Sequence, residues 1–413
     1  MGKSAADIFN NANESRRRNV VLFLLFMNVV TSAAVSIYIP CLRHMAVDLG
    51  TTNAMMQMTI VVHLVGEFIG RFFCGPLMDF YEEKRIVPPA LLLSGIGHAG
   101  CFLADSIDMF MLMRFLQAFG ASVVYIASVG IINMEYGRDA KKNSVIGILE
   151  LYQPIAWILS PLVGCLLGEI SSWRLSFLVL MLSQIFGVAF FRAYHEREVR
   201  LRPKLSVAKF ICDYGSILKN SYFVTYALIP GLFTGGYMIF ASNSPFICSY
   251  IFGNNSADIA LFQAIPLIFY VLATFAYRAI VNNFDMRAAK RIGIGVYIIF
   301  GVYMFFMALS HHQWVAGHLL ALMCVQCIGS AFLVPISVLK ALQSSEHASS
   351  TGASTVVVFR NIIMSLCISL GAKMSESITM IMGAVFMTVG TVLVLMITRR
   401  IMKRRYVRKK LST

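Results

Sequence analysis

The stretch D-F-Y-E-E-K-R at residues 79–85 is partly repeated as D-M-R-A-A-K-R at residues 285–291. Both copies have the pattern Asp-x4-Lys-Arg, and each follows the second long apolar segment of its half of the chain. A second correspondence lies at nearly the same offset, because Pro40 closes the first apolar segment of one half and Pro245 closes that of the other. Two parallel membrane halves are typical of a transporter, and the repeat predicts a substrate site between them.

The composition is that of a membrane protein. Hydrophobic residues make up 58% and charged residues 13% of the 413 residues, against about 25% charged residues in an ordinary soluble domain. In lipid every backbone polar group must be paired internally, so apolar runs of about 20 residues are expected to form spanning helices. The predicted spans are 19–40, 57–78, 86–104, 109–134, 145–168, 174–194, 222–244, 258–281, 290–310, 314–338, 351–372 and 377–398.

These runs predict an all-α membrane protein with twelve transmembrane helices in two six-helix halves. The N-terminal half is expected at 1–194, a cytoplasmic connector at 195–221, and the C-terminal half with a basic cytoplasmic tail at 222–413. Of the 35 Lys and Arg residues, three lie on one face (Arg43, Arg174, Lys373) and three within helices (Arg71, Arg114, Arg360), which leaves 29 on the other face. By the positive-inside rule that face is cytoplasmic. Both termini are therefore predicted to lie on the cytoplasmic side of a bacterial inner membrane.

Several functional classes are excluded by what the chain contains. The net charge of +15 reflects topology and contact with anionic lipid, so no nucleic-acid partner is expected. No nucleotide-binding Gly-rich loop or metal-ligand cluster is present, so we expect no cofactor, no metal and no enzymatic activity. The expected partners are a small-molecule substrate, protons and the bilayer, with the protein acting as a monomer. Energy must then come from an ion gradient or from the substrate gradient itself.

Several motifs resemble those of the major facilitator superfamily, in its twelve-helix form with two six-helix halves. They are G-P-L-M-D at 75–79 with Lys84 and Arg85 in the loop after the second span, R-F-L-Q at 114–117 with Gly120 in the fourth, S-P-L-V-G at 160–164 in the fifth, and W-R at 173–174 before the sixth. Y-I-P at 38–40 and S-N-S-P-F at 242–246 resemble the ends of helices one and seven in the Bcr/CflA drug:proton antiporters. The resemblance implies alternating access and multidrug efflux coupled to protons.

The chain also departs from that branch in ways that bear on coupling. The branch has an acidic residue before the Tyr-x-Pro stretch of its first helix, whereas this chain reads S-I-Y-I-P at 36–40 and has no Asp or Glu in that span. In the loop motif, Phe80 and Glu82 replace the usual basic residue and glycine. Proton coupling, where it occurs, must therefore use other residues.

The second span has the densest set of ionisable residues, His63, Glu67 and Arg71, at a spacing of four. This spacing places them on one helical face, with Glu67 and Arg71 in the favourable order for an ion pair. Because ionisable groups in a span cost about 2.5–3.5 kcal/mol each on insertion scales, they usually face the protein interior. Glu67 and His63 are candidates for carrying protons. The alternatives are a static pair that braces the helix and a packed histidine.

Further candidates are distributed over both halves. Glu150 is the other acid predicted inside a span, on one stripe with Trp157, while Glu135 is expected on a solvated face. By family resemblance Arg114 faces the interior and is linked to protons, and its structural alternative is pairing with backbone carbonyls at a helix end. Candidates for lining the substrate cavity are Arg71, Tyr38, Tyr125, Trp157, Tyr237 and Arg360. Gating candidates are Asp79, Lys84, Arg85 and Asp285, and helix-packing candidates are Gly75, Gly120, Pro161 and Gly164.

The residues leave more than one function open. The leading hypothesis is proton-coupled efflux of a small organic compound. The alternative is an uptake symporter or exchanger for a metabolite, an anionic one in view of Arg71, Arg114 and Arg360. A third hypothesis is a transporter-derived sensor, which is disfavoured because the sequence contains no appended soluble domain. The sequence does not name the substrate, since a fold does not fix function.

Overall fold

The structure is a computed structural model that describes most of the chain. The described residues are 5–81, 83–137, 145, 148–149, 152–193, 215–252, 256–309, 316–344, 350–374 and 377–411. Most of the predicted connector, 195–221, lies outside these ranges, and Glu150 does so as well. Everything below refers to the described part.

The described chain is helical throughout, with no strand in these ranges. The helices are α1 (Ala5–Ala33), α2 (Leu42–Asp48), α3 (Asn53–Phe80), α4 (Glu83–Leu103), α5 (Ile107–Ala121), α6 (Val123–Tyr136), α7 (Tyr152–Ile170), α8 (Arg174–Ala193), α9 (Ser221–Phe252), α10 (Ser256–Asn283), α11 (Met286–Leu309), α12 (Ala316–Gln343), α13 (Ser350–Lys373) and α14 (Ile378–Leu411), with a 3-10 turn at Ile39–Cys41 between α1 and α2. The predicted all-α class is confirmed.

Eleven segments among the described residues are long and apolar enough to cross a membrane. They correspond to the predicted spans two to twelve. The fourth, Ile107–Tyr136, consists of α5 and α6, which meet at Ser122. The first predicted span, near 19–40, ends earlier than expected: α1 ends at Ala33, and residues 34–38 form a turn before the 3-10 helix. The apolar part of α1 follows Arg16, Arg17 and Arg18 and ends at Ala33, so it is too short to be one of the eleven.

The chain divides into two compact units, and the division falls within α3. Unit 1 comprises residues 1–38 and 66–205, and unit 2 comprises residues 39–65 and 206–413. In unit 1, α4 packs against α5 and α8, and α1 packs against α7. In unit 2, α9 packs against α12, α13 and α14, and the 3-10 turn with α2 packs on α9. The hairpin at 39–65 therefore belongs to the same compact unit as α9.

Glycines allow two very close contacts in unit 1, one between two helices and one between a helix and the turn at 34–38. At Gly120 of α5, an added Cβ atom would collide with the carbonyl oxygen of Ala90 and would lie 2.6 Å from the backbone nitrogen of Ser94 on α4. At Gly164 of α7, it would collide with the carbonyl oxygen of Ile37. Membrane helices associate through such packing of small residues, because lipid provides no hydrophobic driving force between them. Both contacts lie inside unit 1 and position the residues around Arg114.

We expect Gly120→Ala to destabilise the protein, because the atoms that its Cβ would meet belong to the backbone of α4 and cannot rotate away. Overpacking of this kind costs about 1–3 kcal/mol. The matched control is Gly295→Ala on α11, where an added Cβ meets nothing within 4 Å, and where replacing a helical glycine stabilises by about 0.4–1 kcal/mol. Thermal unfolding of the purified proteins in detergent measures both changes. Equal midpoints for the two variants would contradict the close contact.

Candidate functional site

Arg114 lies in the interior of unit 1, in the middle of α5. That helix begins at a cap where the Ser106 hydroxyl accepts a hydrogen bond from the Met109 amide at 3.4 Å. The Arg114 side chain is 0% exposed. Its Nη1 donates to the carbonyl oxygen of Ala34 at 2.9 Å and to Oε1 of Gln117 at 3.0 Å, and its Nη2 donates to the Tyr38 hydroxyl at 3.3 Å. The guanidinium thus joins α5 to the turn that follows α1.

The turn at 34–38 is held from its other side by α7. The hydroxyl oxygens of Ser36 and Ser160 are 2.6 Å apart, and the carbonyl of Ile37 lies against Gly164. Within the turn, the amide of Ile37 donates to the carbonyl oxygen of Ala33 at 2.9 Å. The turn at 34–38 is therefore contacted from two sides, by Arg114 on one and by α7 on the other.

Aromatic rings surround the Arg114 guanidinium. Its Cζ lies 4.5 Å from the centroid of the Tyr38 ring and 6.0 Å from that of Phe177. Phe110 and Trp173 complete an edge-to-face cluster, with ring centroids 5.4 Å (Phe110) and 6.0 Å (Trp173) from Phe177. In the described part of the chain Arg114 forms no ion pair, so its charge is balanced only by neutral oxygens and by the faces of aromatic rings.

A second group of polar residues lies on α3 and its neighbours within unit 1. Glu67 and Arg71 form an ion pair, with 18% and 10% of their side chains exposed. The Arg71 guanidinium also lies 5.8 Å from the centroid of the Tyr125 ring and interacts with the Tyr152 hydroxyl. The rings of Tyr125 and Tyr152 are 5.6 Å apart. Three predicted site residues, Glu67, Arg71 and Tyr125, are thereby brought together with Tyr152, which was not a predicted site residue.

Unit 2 contains a buried polar contact that the sequence did not predict. Nε2 of Gln57, on the first turns of α3, donates to Oδ1 of Asn243 on α9 at 3.1 Å, and both residues are fully buried. The Asn243 amide in turn donates to the carbonyl oxygen of Ile239 at 2.8 Å. His63 is buried on the same part of α3, which belongs to unit 2, whereas Glu67 belongs to unit 1. Asn243 lies within the S-N-S-P-F motif, which was the feature of the sequence that could have pointed to this contact.

The remaining candidates are distributed over both units. The Tyr237 hydroxyl donates to the carbonyl oxygen of Gln263 at 3.0 Å within unit 2, where the backbone of Arg360 on α13 packs against Gly231. Trp157 and Pro161 are buried on α7. Arg85 is exposed, and Asp285 is paired with the exposed Arg287 at 3.6 Å. Glu150 and the side chains at positions 75, 79 and 84 lie outside what the structure describes.

One expectation about an acidic residue is wrong. Glu135, predicted on a solvated face, has only 8% of its side chain exposed and lies 3.7 Å from Arg16 and 3.9 Å from Arg17 of α1. The arginines that precede the first predicted span therefore also neutralise an acid on α6. Such pairing is the usual condition for burying a charge.

The fold and these clusters can be compared with known proteins. The family model described as "Major Facilitator Superfamily" matches residues 22–372, which is most of the chain. The chain belongs to this superfamily. It is therefore a multi-pass membrane transporter and not an enzyme, and the twelve-helix fold expected from the sequence is that of its family.

Relatives in the superfamily include drug-resistance proteins. The chain is 25% identical over 332 residues to a chloramphenicol resistance protein of Pseudomonas aeruginosa, covering 80% of this chain and 78% of the relative. It is 20% identical over 302 residues to a bicyclomycin resistance protein homolog of Haemophilus influenzae, covering 71% and 75%. An uncharacterized MFS-type transporter of Bacillus subtilis, YdgK, is 27% identical over 244 residues, which span 58% of this chain and 60% of that protein. The resemblance to the Bcr/CflA branch is thereby confirmed.

Solved transporter structures share the fold at low identity. A POT family transporter in complex with 5-aminolevulinic acid has a TM-score of 0.71 at 13% identity, covering 94% of this chain and 96% of its own. The xylose transporter XylE of E. coli, in a partially occluded inward open conformation, has a TM-score of 0.70 at 10% identity, with coverages of 93% and 98%. These similarities concern the fold alone.

We expect the facilitator to lose stability when Gln57 or Asn243 is replaced by Leu, because each single change leaves a buried amide without its partner. Such a loss costs about 1–3 kcal/mol. In the double variant both polar groups are gone, so a double-mutant cycle should give a coupling energy of about 0.5–3 kcal/mol. Thermal or denaturant unfolding in detergent measures the four proteins. Strictly additive effects would show that the two side chains do not interact.

Proposed function

We propose that this facilitator is a proton-coupled exporter of small organic compounds that works by alternating access. The single observation that carries the proposal is the ion pair between Glu67 and Arg71, half-buried on a spanning helix. The names of the resistance relatives support export, and they make chloramphenicol and bicyclomycin the first compounds to test. The transporter function itself follows from family membership.

The surroundings of Arg71 suggest how Glu67 can exchange its proton. A carboxylate that binds a proton no longer balances the guanidinium beside it, and an unbalanced charge in a membrane interior is costly. Arg71 has other contacts that remain when Glu67 is neutral, namely the face of the Tyr125 ring and the Tyr152 hydroxyl. These contacts lower the cost of the protonated state, so that Glu67 can alternate between the ion pair and the neutral acid.

In the proposed cycle, Glu67 binds a proton from outside the cell and releases it to the cytoplasm, and the substrate leaves in the opposite direction. Protonation favours one conformer only to the extent that the two conformers differ in their affinity for the proton. The gain or loss of the Glu67–Arg71 pair provides that difference. Glu150, the other predicted acid within a span, remains a second candidate for the same role.

The orientation follows from charge. With 29 of 35 Lys and Arg residues on one predicted face, the positive-inside rule places both termini in the cytoplasm. In a bacterial inner membrane this orientation lets an inward proton gradient drive export. The protein is proposed to work as a monomer, with the bilayer as its surroundings and a small molecule as its cargo.

A second candidate function is uptake or exchange of a small anionic metabolite. The observation that favours it is Arg114, a fully buried guanidinium whose described partners are all neutral. A basic group without a counter-charge is suited to receive a carboxylate or phosphate. Export and uptake are distinguished by the side from which the substrate is taken and by the direction of accompanying proton movement.

We expect substrate-induced proton release to disappear in Glu67→Gln. Inverted membrane vesicles containing the full-length protein are energised, and a pH-sensitive dye reports proton release from the lumen when chloramphenicol, bicyclomycin or another panel compound is added. The amide keeps the size of the side chain but cannot carry a proton, so its signal should fall to that of vesicles lacking the protein. Binding of the compound should persist.

The matched control is Glu169→Gln, the same change at an exposed position near the end of α7. It should leave proton release unchanged. Full proton release in Glu67→Gln would exclude Glu67 as the coupling acid. No release with any compound in the wild-type vesicles would contradict proton-coupled export and direct the search to radiolabelled metabolite uptake.

A further inference from the structure

Three neighbouring side chains in unit 1 have hydrogen-bonding atoms without partners in the described structure. They are Nε of Arg114, Nε2 of Gln117 and both ring nitrogens of His98. All three residues are 0% exposed. Buried polar groups in folded proteins are nearly always paired with protein atoms, water or an ion. A further group can therefore accept hydrogen bonds from them.

The three side chains lie around the contact between α4 and α5. His98 is flanked on α4 by Gly97, whose Cα packs against Gln117, and by Cys101, whose sulfur lies 3.8 Å from Oε1 of Gln117. The His98 ring is 6.5 Å from that of Phe177, and the centroid of the Phe177 ring is 6.0 Å from Cζ of Arg114. One short stretch of α4 thus places His98 beside both α5 residues.

The atoms without a hydrogen-bond partner are mainly donors. Nε of Arg114 and Nε2 of Gln117 can only donate, and a neutral imidazole offers one N–H. The Oε1 atom of Gln117 already accepts from Arg114 at 3.0 Å, which fixes its amide nitrogen as the group without a partner. One of these donors belongs to the Arg114 guanidinium itself, which forms no ion pair among the described residues. Water would satisfy the hydrogen bonds, but it would not supply the negative charge with which buried cations are usually paired.

We infer that Arg114, Gln117 and His98 form a binding site for a small monovalent anion, which supplies the counter-charge that the described protein lacks. The shared chemistry is that of a compact acceptor with one negative charge. Its source is either an inorganic ion such as chloride or the carboxylate of a small organic compound. The site requires neither proton coupling nor export, and only its carboxylate form would coincide with the anionic cargo of the second candidate function.

The experiment measures the thermal unfolding of the purified full-length protein in detergent at constant ionic strength. Gluconate, a bulky reference anion, is replaced stepwise by chloride in one series and by the small carboxylates formate or acetate in another, with overnight equilibration. An anion that binds the folded protein raises the unfolding midpoint along a saturable curve. Saturable stabilisation by chloride identifies an inorganic ion, and stronger stabilisation by the carboxylates identifies an organic acid.

Two variants locate the effect. Gln117→Glu places a carboxylate of the same shape on the atom that already accepts from Arg114, so the protein supplies its own counter-charge. The unfolding midpoint of this variant should not respond to the anion. Its apparent affinity for the anion should be weakened by at least about tenfold, which corresponds to 1.4 kcal/mol. Arg114→Gln should lose the response as well. The control is Gln153→Glu on α7, the same amide-to-carboxylate change away from the Arg114 hydrogen bonds, and it should respond like the wild type.

Direct binding of radiolabelled chloride to the wild-type protein provides a measurement that depends on no variant. Saturable binding near one ion per chain supports the site. Equal midpoints in gluconate, chloride and the carboxylates, together with no bound label, would overturn it. A stabilisation that does not saturate, or that Arg114→Gln retains, would be a general salt effect and would also overturn it. None of these results concerns Glu67. The proposal of proton-coupled export is therefore tested independently by the vesicle experiment.

Discussion

The burial of Arg114 is the constraint on which the arrangement of unit 1 depends. An ionised group without solvent must find hydrogen bonds, and two of the three acceptors that Arg114 uses lie on the segment that follows α1. A continuous helix pairs its own carbonyls internally, so the carbonyl of Ala34 is available only because α1 ends at Ala33. The turn then brings Ser36 and Ile37 against α7.

In both units, buried polar side chains are hydrogen-bonded or packed between neighbouring segments. In unit 1 the close approach of α4 and α5 at Gly120 places His98 and Gln117 in one buried region. In unit 2 the pair formed by Gln57 and Asn243 joins the hairpin at 39–65 to α9. A bilayer offers no water to satisfy such groups, so each must be met by another helix. Polar side chains thereby determine which helices are neighbours, while the apolar residues make the segments able to cross the membrane.

The parts of the fold that depend on local pattern could be predicted. Spans follow from runs of apolar residues, and the Glu67–Arg71 pair follows from its spacing of four on one helix. The end of α1 at Ala33 could not be predicted, because the apolar run continues to Pro40 and the cause lies on α5. The position of Glu135 was missed for the same reason, since its partners Arg16 and Arg17 lie on α1. Contacts between distant segments leave no local signal.

The most direct test of the account is hydrogen exchange at the turn. If Arg114 holds residues 34–38, the amides of that segment should exchange much faster in Arg114→Lys, which keeps the charge but lacks the forked donors, than in the wild type. Peptides from α9 to α14, in unit 2, should be unaffected. Unchanged exchange at 34–38 would mean that the turn forms without Arg114, and the central role assigned to this residue would be wrong.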